Sequence, residues 1–337
     1  MAKIDLLELE ETGMIGSLEG QKILIYGGNN QGKTFQASRM PKPILFMTEA
    51  GGNAVRCPKV PITKWATFKD MVKQLTNEKT IDQMREKYQT VIIDTLQNLV
   101  EFAEQAVCTE FGVRDLSEIN GKQNGYTIYR KDFKGQINKL CSFGYTVLFV
   151  DHEEVVEIED ELTGEKRNFI QPKGSGNIKS STRFVRDLCD FCFYLKGNDL
   201  DENGDVIPST AICKQTKHVF ARSRYAIQTF IDPFTAKNLE DAIIKAIEKS
   251  AENEGAELSD WKPDTTEYTK EDWIGMIAPY FKAIHHKYPE VAQEIVEYEL
   301  GAGAKVSKAT DEQLTELENI YNKMVTYCCD MGIVVDD

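Results

Sequence analysis

The sequence predicts an α/β fold: a mostly parallel sheet with helices on both faces and β-hairpin additions, followed by a small helical C-terminal region. Three observations carry the prediction. Gly27-Gly28-Asn29-Asn30-Gln31-Gly32-Lys33-Thr34 fits the phosphate-loop pattern G-x-x-x-x-G-K-[ST], between an apolar run, Ile23-Leu24-Ile25-Tyr26, and a first helical turn. Val91-Ile92-Ile93-Asp94-Thr95 is a β-branched run closed by an acid, the usual companion of such a loop. Further short apolar runs alternate with helical periods and end in polar residues, as parallel strands do where ligands bind at their carboxyl ends.

Composition sets the outer limits. At 337 residues the chain can hold one large domain and a smaller one. The net charge of −14 argues against a globally basic protein that coats nucleic acid, yet leaves room for a local basic channel. No apolar run approaches the ~20 residues that cross a bilayer, so no membrane partner is expected. The first eight residues are too acidic for a signal peptide, and eight cysteines without a regular framework read as reduced thiols. A cytoplasmic protein is the expectation.

Residues 1–20 form a leader punctuated by Gly13, Gly16 and Gly20, with no sustained period. The core spans 21–237. After the phosphate loop, Pro41-Lys42-Pro43 breaks the chain and Ile44-Leu45-Phe46-Met47 forms a second buried strand. It runs into Thr48-Glu49-Ala50-Gly51-Gly52, a carboxylate on a glycine-rich turn at a strand's ligand-binding end. Val60-Pro61-Ile62 is a short edge strand, and residues 67–75 read as an amphipathic helix capped by Thr67. The strand ending at Asp94 leads into a helix over 96–107, then a surface loop over 109–126. The helix over 126–142 has Tyr129, Phe133, Ile137 and Leu140 on one side; its Arg130, Lys131, Lys134 and Lys139 form either a basic face or a solvated flank.

Tyr145-Thr146-Val147-Leu148-Phe149-Val150-Asp151-His152 is the fourth strand. A hairpin follows, with arms at 155–161 and 167–171. The next stretch, 172–183, is rich in small residues and carries Lys173, Lys179 and Arg183 without an acid. It could order around a DNA or RNA backbone, or be a mobile surface loop. Residues 190–195 form a fifth strand, 198–205 turn tightly, and 209–214 return. Cys189 and Cys192 make a formal C-x-x-C, but no second pair has metal spacing, so zinc is not expected. Lys214, Lys217, Arg222 and Arg224 close the core as a basic stretch. A subunit-to-subunit phosphate contact, a nucleic-acid contact and a plain basic surface all fit it. A helix at 239–249 and a polar linker occupy 238–269. The region 270–337 shows helical patterns only, over 271–287, 291–300 and 311–331 after an Ala309-Thr310 cap, before the acidic Asp336-Asp337 end.

These residues define a nucleoside-triphosphate site. In the loop, Gly27, Gly28, Asn29, Asn30, Gln31 and Gly32 turn backbone N–H groups toward phosphate oxygens, and the following helix adds its positive end. Lys33 reaches the β- and γ-phosphates, while Thr34 and Asp94 supply oxygens to Mg²⁺. For Asp94 the alternative is a capping residue ahead of its helix. A lone histidine is more often structural; His152, at the end of a core strand, is also a candidate γ-phosphate sensor.

In this order the motifs resemble the phage RecA-like ATPases of recombination modules, grouped as Sak-type single-strand annealing ATPases within a broader AAA-domain phage family. The resemblance covers about residues 20–235 and rests on Gly27 to Thr34, the Thr48-Glu49-Ala50-Gly51 turn, Val91 to Thr95, the strand ending at His152, and the hairpin before Lys173 to Arg183. It implies a RecA-like core with ATP and Mg²⁺ as cofactors. It also implies that Glu49 activates water, that His152 senses the γ-phosphate, and that Lys214, Lys217, Arg222 and Arg224 reach between subunits of a ring or filament. Single-stranded DNA is the implied partner, although RecA's two DNA-binding loops are not recognisable here. A nucleotide-gated adaptor whose tail recruits a single-strand DNA-binding protein, and a small-molecule kinase, are the other readings.

Overall fold

The computed structural model describes residues 11–49, 55–77, 79–119, 124–159, 163–200, 202–204, 207–261, 268–310 and 313–335. Parts of several expectations therefore lie outside the described residues: Ala50-Gly51-Gly52, Lys122 and Gln123, Leu162, Asp201 and Asp205, the linker at 262–266, Asp311, and Asp336-Asp337.

In chain order the first elements are β1 (Met14–Ile15), β2 (Lys22–Gly27), α1 (Lys33–Ala37), β3 (Pro43–Met47), β4 (Lys59–Pro61), α2 (Trp65–Leu75), α3 (Ile81–Lys87), β5 (Thr90–Asp94) and α4 (Leu96–Phe111). Next come α5 (Gly125–Cys141), β6 (Thr146–Glu159), β7 (Lys166–Pro172), α6 (Ser181–Leu188), β8 (Phe191–Lys196), β9 (Thr210–Ile212), β10 (Arg222–Ser223), β11 (Phe230–Ile231), α7 (Ala236–Glu254) and β12 (Leu258–Ser259). Three helices end the chain: α8 (Lys270–Lys287), α9 (Pro289–Leu300) and α10 (Leu314–Met331).

The main sheet runs β11-β9-β8-β2-β6-β5-β3-β4. Pairing is parallel from β8 through β4, and β9, β10 and β11 add antiparallel strands at the other end. Alternation along each central strand explains why both faces are covered. Leu24 and Tyr26, Val91 and Ile93, Val147 and Phe149 join one apolar cluster with Phe68 of α2, Leu99 of α4 and Phe133 of α5. Ile23 and Ile25, Ile92, Leu148 and Val150 join the other, with Ala37 of α1 and Leu239, Ile243 and Ile247 of α7. Successive side chains of a strand point to opposite faces, so a continuously apolar run is what a doubly covered strand needs. Each fully buried Leu, Ile or Phe contributes about 1.5–3 kcal/mol.

Register decides where the site lies. Gly27 pairs with His152 and with Leu195, Asp94 with Val150, and Met47 with Asp94, so β2, β3 and β5 finish at one edge, level with His152 of β6. The strand bearing His152 lies between the loop strand β2 and the Asp94 strand β5.

Several local expectations need correction. The fourth strand does not stop at His152. β6 continues to Glu159, leaving the parallel sheet to pair antiparallel with β7, Glu153 opposite Pro172 through Glu159 opposite Lys166. The strand and the first hairpin arm are one element because the ladder passes directly from β2 and β5 to β7. Thr67 is not a cap: α2 starts two residues earlier, after Lys64, and Trp65 is buried. α4 runs to Phe111 and ends on Gly112 at φ 66°, so the expected loop starts later. That loop contains a 3₁₀ turn, Leu116–Glu118, with an Asp115 capping box, and Leu116 and Ile119 are buried. Within the expected leader, β1 pairs with β12 of the expected linker. β8 and β9 pair antiparallel as a hairpin, and the described residues between them turn at 202–204, with Gly204 at φ 82°. Lys214 and Lys217 are exposed on the connection between β9 and β10, not on a strand.

The chain divides into two compact units, Thr12–Pro263 and a second that includes Asp264–Asp337. The second has its own core, with Ile277 and Ile284 of α8, Ala292 and Val296 of α9, and Leu317, Ile320 and Met324 of α10. Thr269 and Asp272 form a capping box at the start of α8. Among the described residues, no helix is long and apolar enough to cross a membrane.

Candidate active site

At the carboxyl edge of the parallel sheet a cleft of about 410 Å³ is lined by Asn29, Asn30, Gln31, Gly32, Lys33 and Thr34 of the loop, by Glu49, Asp94 and Thr95 at the ends of β3 and β5, and by His152 within β6. Phe35, Met47 and Val55 supply its apolar lining. Gly32 carries φ 78° at the entry to α1, a left-handed conformation that glycine adopts without strain. Because α1 has only five residues, few peptide dipoles align behind the loop; its amides and Lys33 make the larger contribution to anion binding.

Lys33 is buried, its Nζ donating to the carbonyl oxygens of Gly27 at 2.9 Å and Gly28 at 2.6 Å. Burial lowers its pKa, against the pull of Asp94, Glu153, Asp151 and Glu49. A cation desolvated among carbonyls is favourably paired by an incoming phosphate. Thr34 Oγ1 donates to Asp94 Oδ2 at 2.7 Å, which brings the two expected metal ligands together. Burial raises the Asp94 pKa, and the Thr34 hydrogen bond opposes it.

These two oxygens fit Mg²⁺, a hard cation held by one or two protein oxygens, water and substrate phosphates. Among the described residues no cluster of three His, Cys, Asp or Glu side chains forms an all-protein cage. A metal delivered with a nucleotide needs no such cage.

Glu49 stands opposite this pair. Its Oε1 accepts from Thr95 Oγ1 at 2.9 Å and Asn98 Nδ2 at 3.3 Å, and lies 3.3 Å from His152 Nε2. Thr48 fixes the turn beneath it: Thr48 Oγ1 donates to the Thr95 carbonyl at 2.9 Å and accepts from the Thr95 N–H at 2.6 Å. The Asp94–Thr95 peptide bond is cis. Glu49 and His152 remain partly open to solvent, with side chains 41% and 30% exposed, so water can reach the carboxylate.

The sequence alone does not show Thr48, Thr95 and Asn98 as the residues that support Glu49. Only the adjacency of Thr95 to Asp94 hints at one of them. Asp151 likewise gives no signal beyond its place next to His152. It is fully buried behind Lys33, and its Oδ1 accepts from the His152 N–H at 2.9 Å.

The other candidates lie elsewhere. Lys214, Lys217, Arg222 and Arg224 do not line the cleft. Arg222 donates to the Asp187 carbonyl at 2.8 Å, and Arg224 pairs with Asp190 at 3.3 Å. Lys173 is exposed just past β7, with its N–H donating to the His152 carbonyl at 2.9 Å. Lys179 and Arg183 line a separate cleft.

A phosphate loop on a parallel sheet, with Thr and Asp oxygens in contact and a carboxylate opposite, defines a P-loop nucleotide-binding protein. The AAA domain family model matches residues 19–225, and the chain belongs to that family of nucleotide-binding ATPases. It is 33% identical over 319 residues to the SPbeta prophage-derived uncharacterized protein YorG of Bacillus subtilis (strain 168), covering 92% of this chain and 94% of that one.

Proposed function

We propose that this protein is a phage-encoded, RecA-like ATPase that hydrolyses Mg²⁺-ATP and acts on single-stranded DNA in recombination or repair, supporting annealing or strand exchange. The observation that carries the reading is the Glu49 cluster facing Lys33, Thr34 and Asp94 across one cleft. A site that only bound nucleotide would have no need of a held, solvent-accessible carboxylate there.

Lys33 and the loop N–H groups bind and orient the β- and γ-phosphates. Mg²⁺, when bound through Thr34 and Asp94, neutralises charge on the phosphate oxygens. Glu49 orients a water molecule for in-line attack on the γ-phosphorus and takes its proton, while the bond from that phosphorus to the β-phosphate oxygen breaks. The products are ADP and inorganic phosphate. Thr95 and Asn98 keep the carboxylate aimed. His152, whose Nε2 lies 3.3 Å from Glu49 Oε1, registers loss of the γ-phosphate. Lys214 and Lys217, exposed on their connection, serve the neighbouring subunit of a homo-oligomeric ring or filament.

Steady-state ATP hydrolysis with and without single-stranded DNA, at two salt concentrations, tests the reading. Stimulation by DNA that fades with salt is expected, since neutralised phosphates release counterions. Slow hydrolysis indifferent to DNA would reject the DNA-dependent part. It would favour the adaptor, for which a specific observation exists: the C-terminal unit carries an apolar cleft of about 380 Å³ lined by Ile277, Phe281, Val296 and Val306, suited to a partner such as a single-strand DNA-binding protein.

A further inference from the structure

A second cleft, of about 650 Å³, opens between α5 and α6, away from the phosphate loop. Five cations line it: Arg130 and Lys134 from α5, Lys179 just before α6, Arg183 of α6, and Arg224 beyond β10. They come from three separated stretches of a chain whose net charge is −14, so their convergence is a product of the fold. Two of the five are already ion-paired, Arg183 with Asp187 of the lining at 2.9 Å and Arg224 with Asp190 at 3.3 Å. Asp187 also pairs with Arg186 at 3.1 Å, so the open charge of the cleft rests on Arg130, Lys134 and Lys179. The walls are tied together, Arg130 Nη1 donating to the Lys179 carbonyl at 3.3 Å and Lys134 Nζ standing 4.8 Å from the centre of the Phe184 ring.

The cleft does not end there. A neighbouring cleft of about 340 Å³ shares Arg130, Lys179 and Ser180 with it, and is walled by Tyr126, with Glu104 also in its lining. Through these shared residues the two adjoining clefts make a track. Apolar groups stand beside it: Tyr126 is 41% exposed and Ile178 79%. Cations that follow a backbone, with an aromatic face open to a base, are the combination that binds single strands without reading sequence. A duplex keeps its base faces stacked inside and cannot use the Tyr126 ring.

We propose that this track, built by Arg130, Lys134, Lys179, Arg183 and Arg224 with Tyr126 at one end, is the seat of a single-stranded DNA backbone. The assignment rests on the proposed action on single-stranded DNA, and it gives that action a place. It turns the α5 cations from a solvated flank into a binding surface, and moves Arg224 from a subunit contact to a DNA contact. The track also has a physical route to the ATP cleft. The segment that enters α6 begins at Lys173, whose N–H is held by the His152 carbonyl, and Gly174 packs against Gln97 near the start of α4.

The test is the affinity of the full chain for a fluorescein-labelled oligo-dT across a salt series. Arg130→Ala with Lys134→Ala should weaken binding roughly tenfold at low salt and flatten the log–log salt slope by about 0.7 for each phosphate left without its cation. Tyr126→Ala should weaken binding while leaving the slope unchanged, because stacking releases no counterions. Lys245→Ala with Lys249→Ala, exposed cations on α7, is the charge-matched control and should bind like the unaltered protein. Thermal unfolding of each variant establishes that it is folded.

If the unaltered protein binds oligo-dT and the α5 variant binds equally well, the track is wrong while the DNA reading stands. If the unaltered protein does not bind, both fall. An equal loss in the α7 control would reduce the effect to overall charge and overturn the track. Duplex DNA bound as tightly as oligo-dT, with Tyr126→Ala unaffected, would overturn the single-strand assignment.

Discussion

Asp151 sits in the core at an energetic cost. Its carboxyl is fully buried, Oδ2 has no hydrogen-bond partner among the described residues, and burial pushes its pKa up to about 8. The sign follows from proton uptake. Between the ordinary carboxylate range and about pH 8 the folded protein holds a proton there that the unfolded chain has released, so stability falls as pH rises through this window. Below the window the titration costs nothing; above it the loss is complete. Asp151→Asn should therefore raise the thermal midpoint by several degrees more at pH 8 than at pH 5. Equal shifts at both pH values, in melts followed by circular dichroism, would rule out this titration. Asp151 also shows what sequence hides: it is one acid among many until the fold buries it behind Lys33.

At the scale of elements, the helices on one face of the sheet are locked by an aromatic stack. Trp65 of α2 lies 5.1 Å from Phe68 and 5.6 Å from Phe133 of α5, ring planes 22° and 17° apart, and its Nε1 donates to Asp132 at 2.7 Å. Trp65→Ala should cost about 3–5 kcal/mol, the range for emptying a buried aromatic site. Urea unfolding measures it, and a destabilisation under about 1 kcal/mol would show that the stack is dispensable. Elements of this kind are legible in the sequence because burial on two faces demands continuous apolar runs, which β2, β3, β5 and β8 supply. β6 reads as two pieces since Glu153 and Glu154 interrupt its apolar run, and only the ladder to β7 shows that the backbone continues. The expected Thr67 cap fails for a similar reason: burial of Trp65 draws α2 two residues upstream of the residue with the better capping side chain.

At the scale of the whole molecule, the phosphate loop and Asp94 can be read directly, because both motifs are local in sequence. The support of Glu49 cannot, since Thr48, Thr95 and Asn98 meet it only after β3 and β5 pair. The basic track is still less visible, being assembled from residues as far apart as Arg130 and Arg224. What the fold adds to the motifs is convergence: one edge of the parallel sheet gathers residues of four strands and their loops into a single cleft.

The claim at the centre is that this cleft hydrolyses ATP through Glu49 rather than merely holding it. ATP affinity and ATP turnover of Glu49→Gln, measured side by side with Mg²⁺ present, test it most directly. Affinity should stay within a few-fold of the unaltered protein, because the loop, Lys33 and Thr34 are untouched. Turnover should fall by roughly 10²-fold or more, the scale of removing a general base. Near-normal turnover in Glu49→Gln would contradict the account.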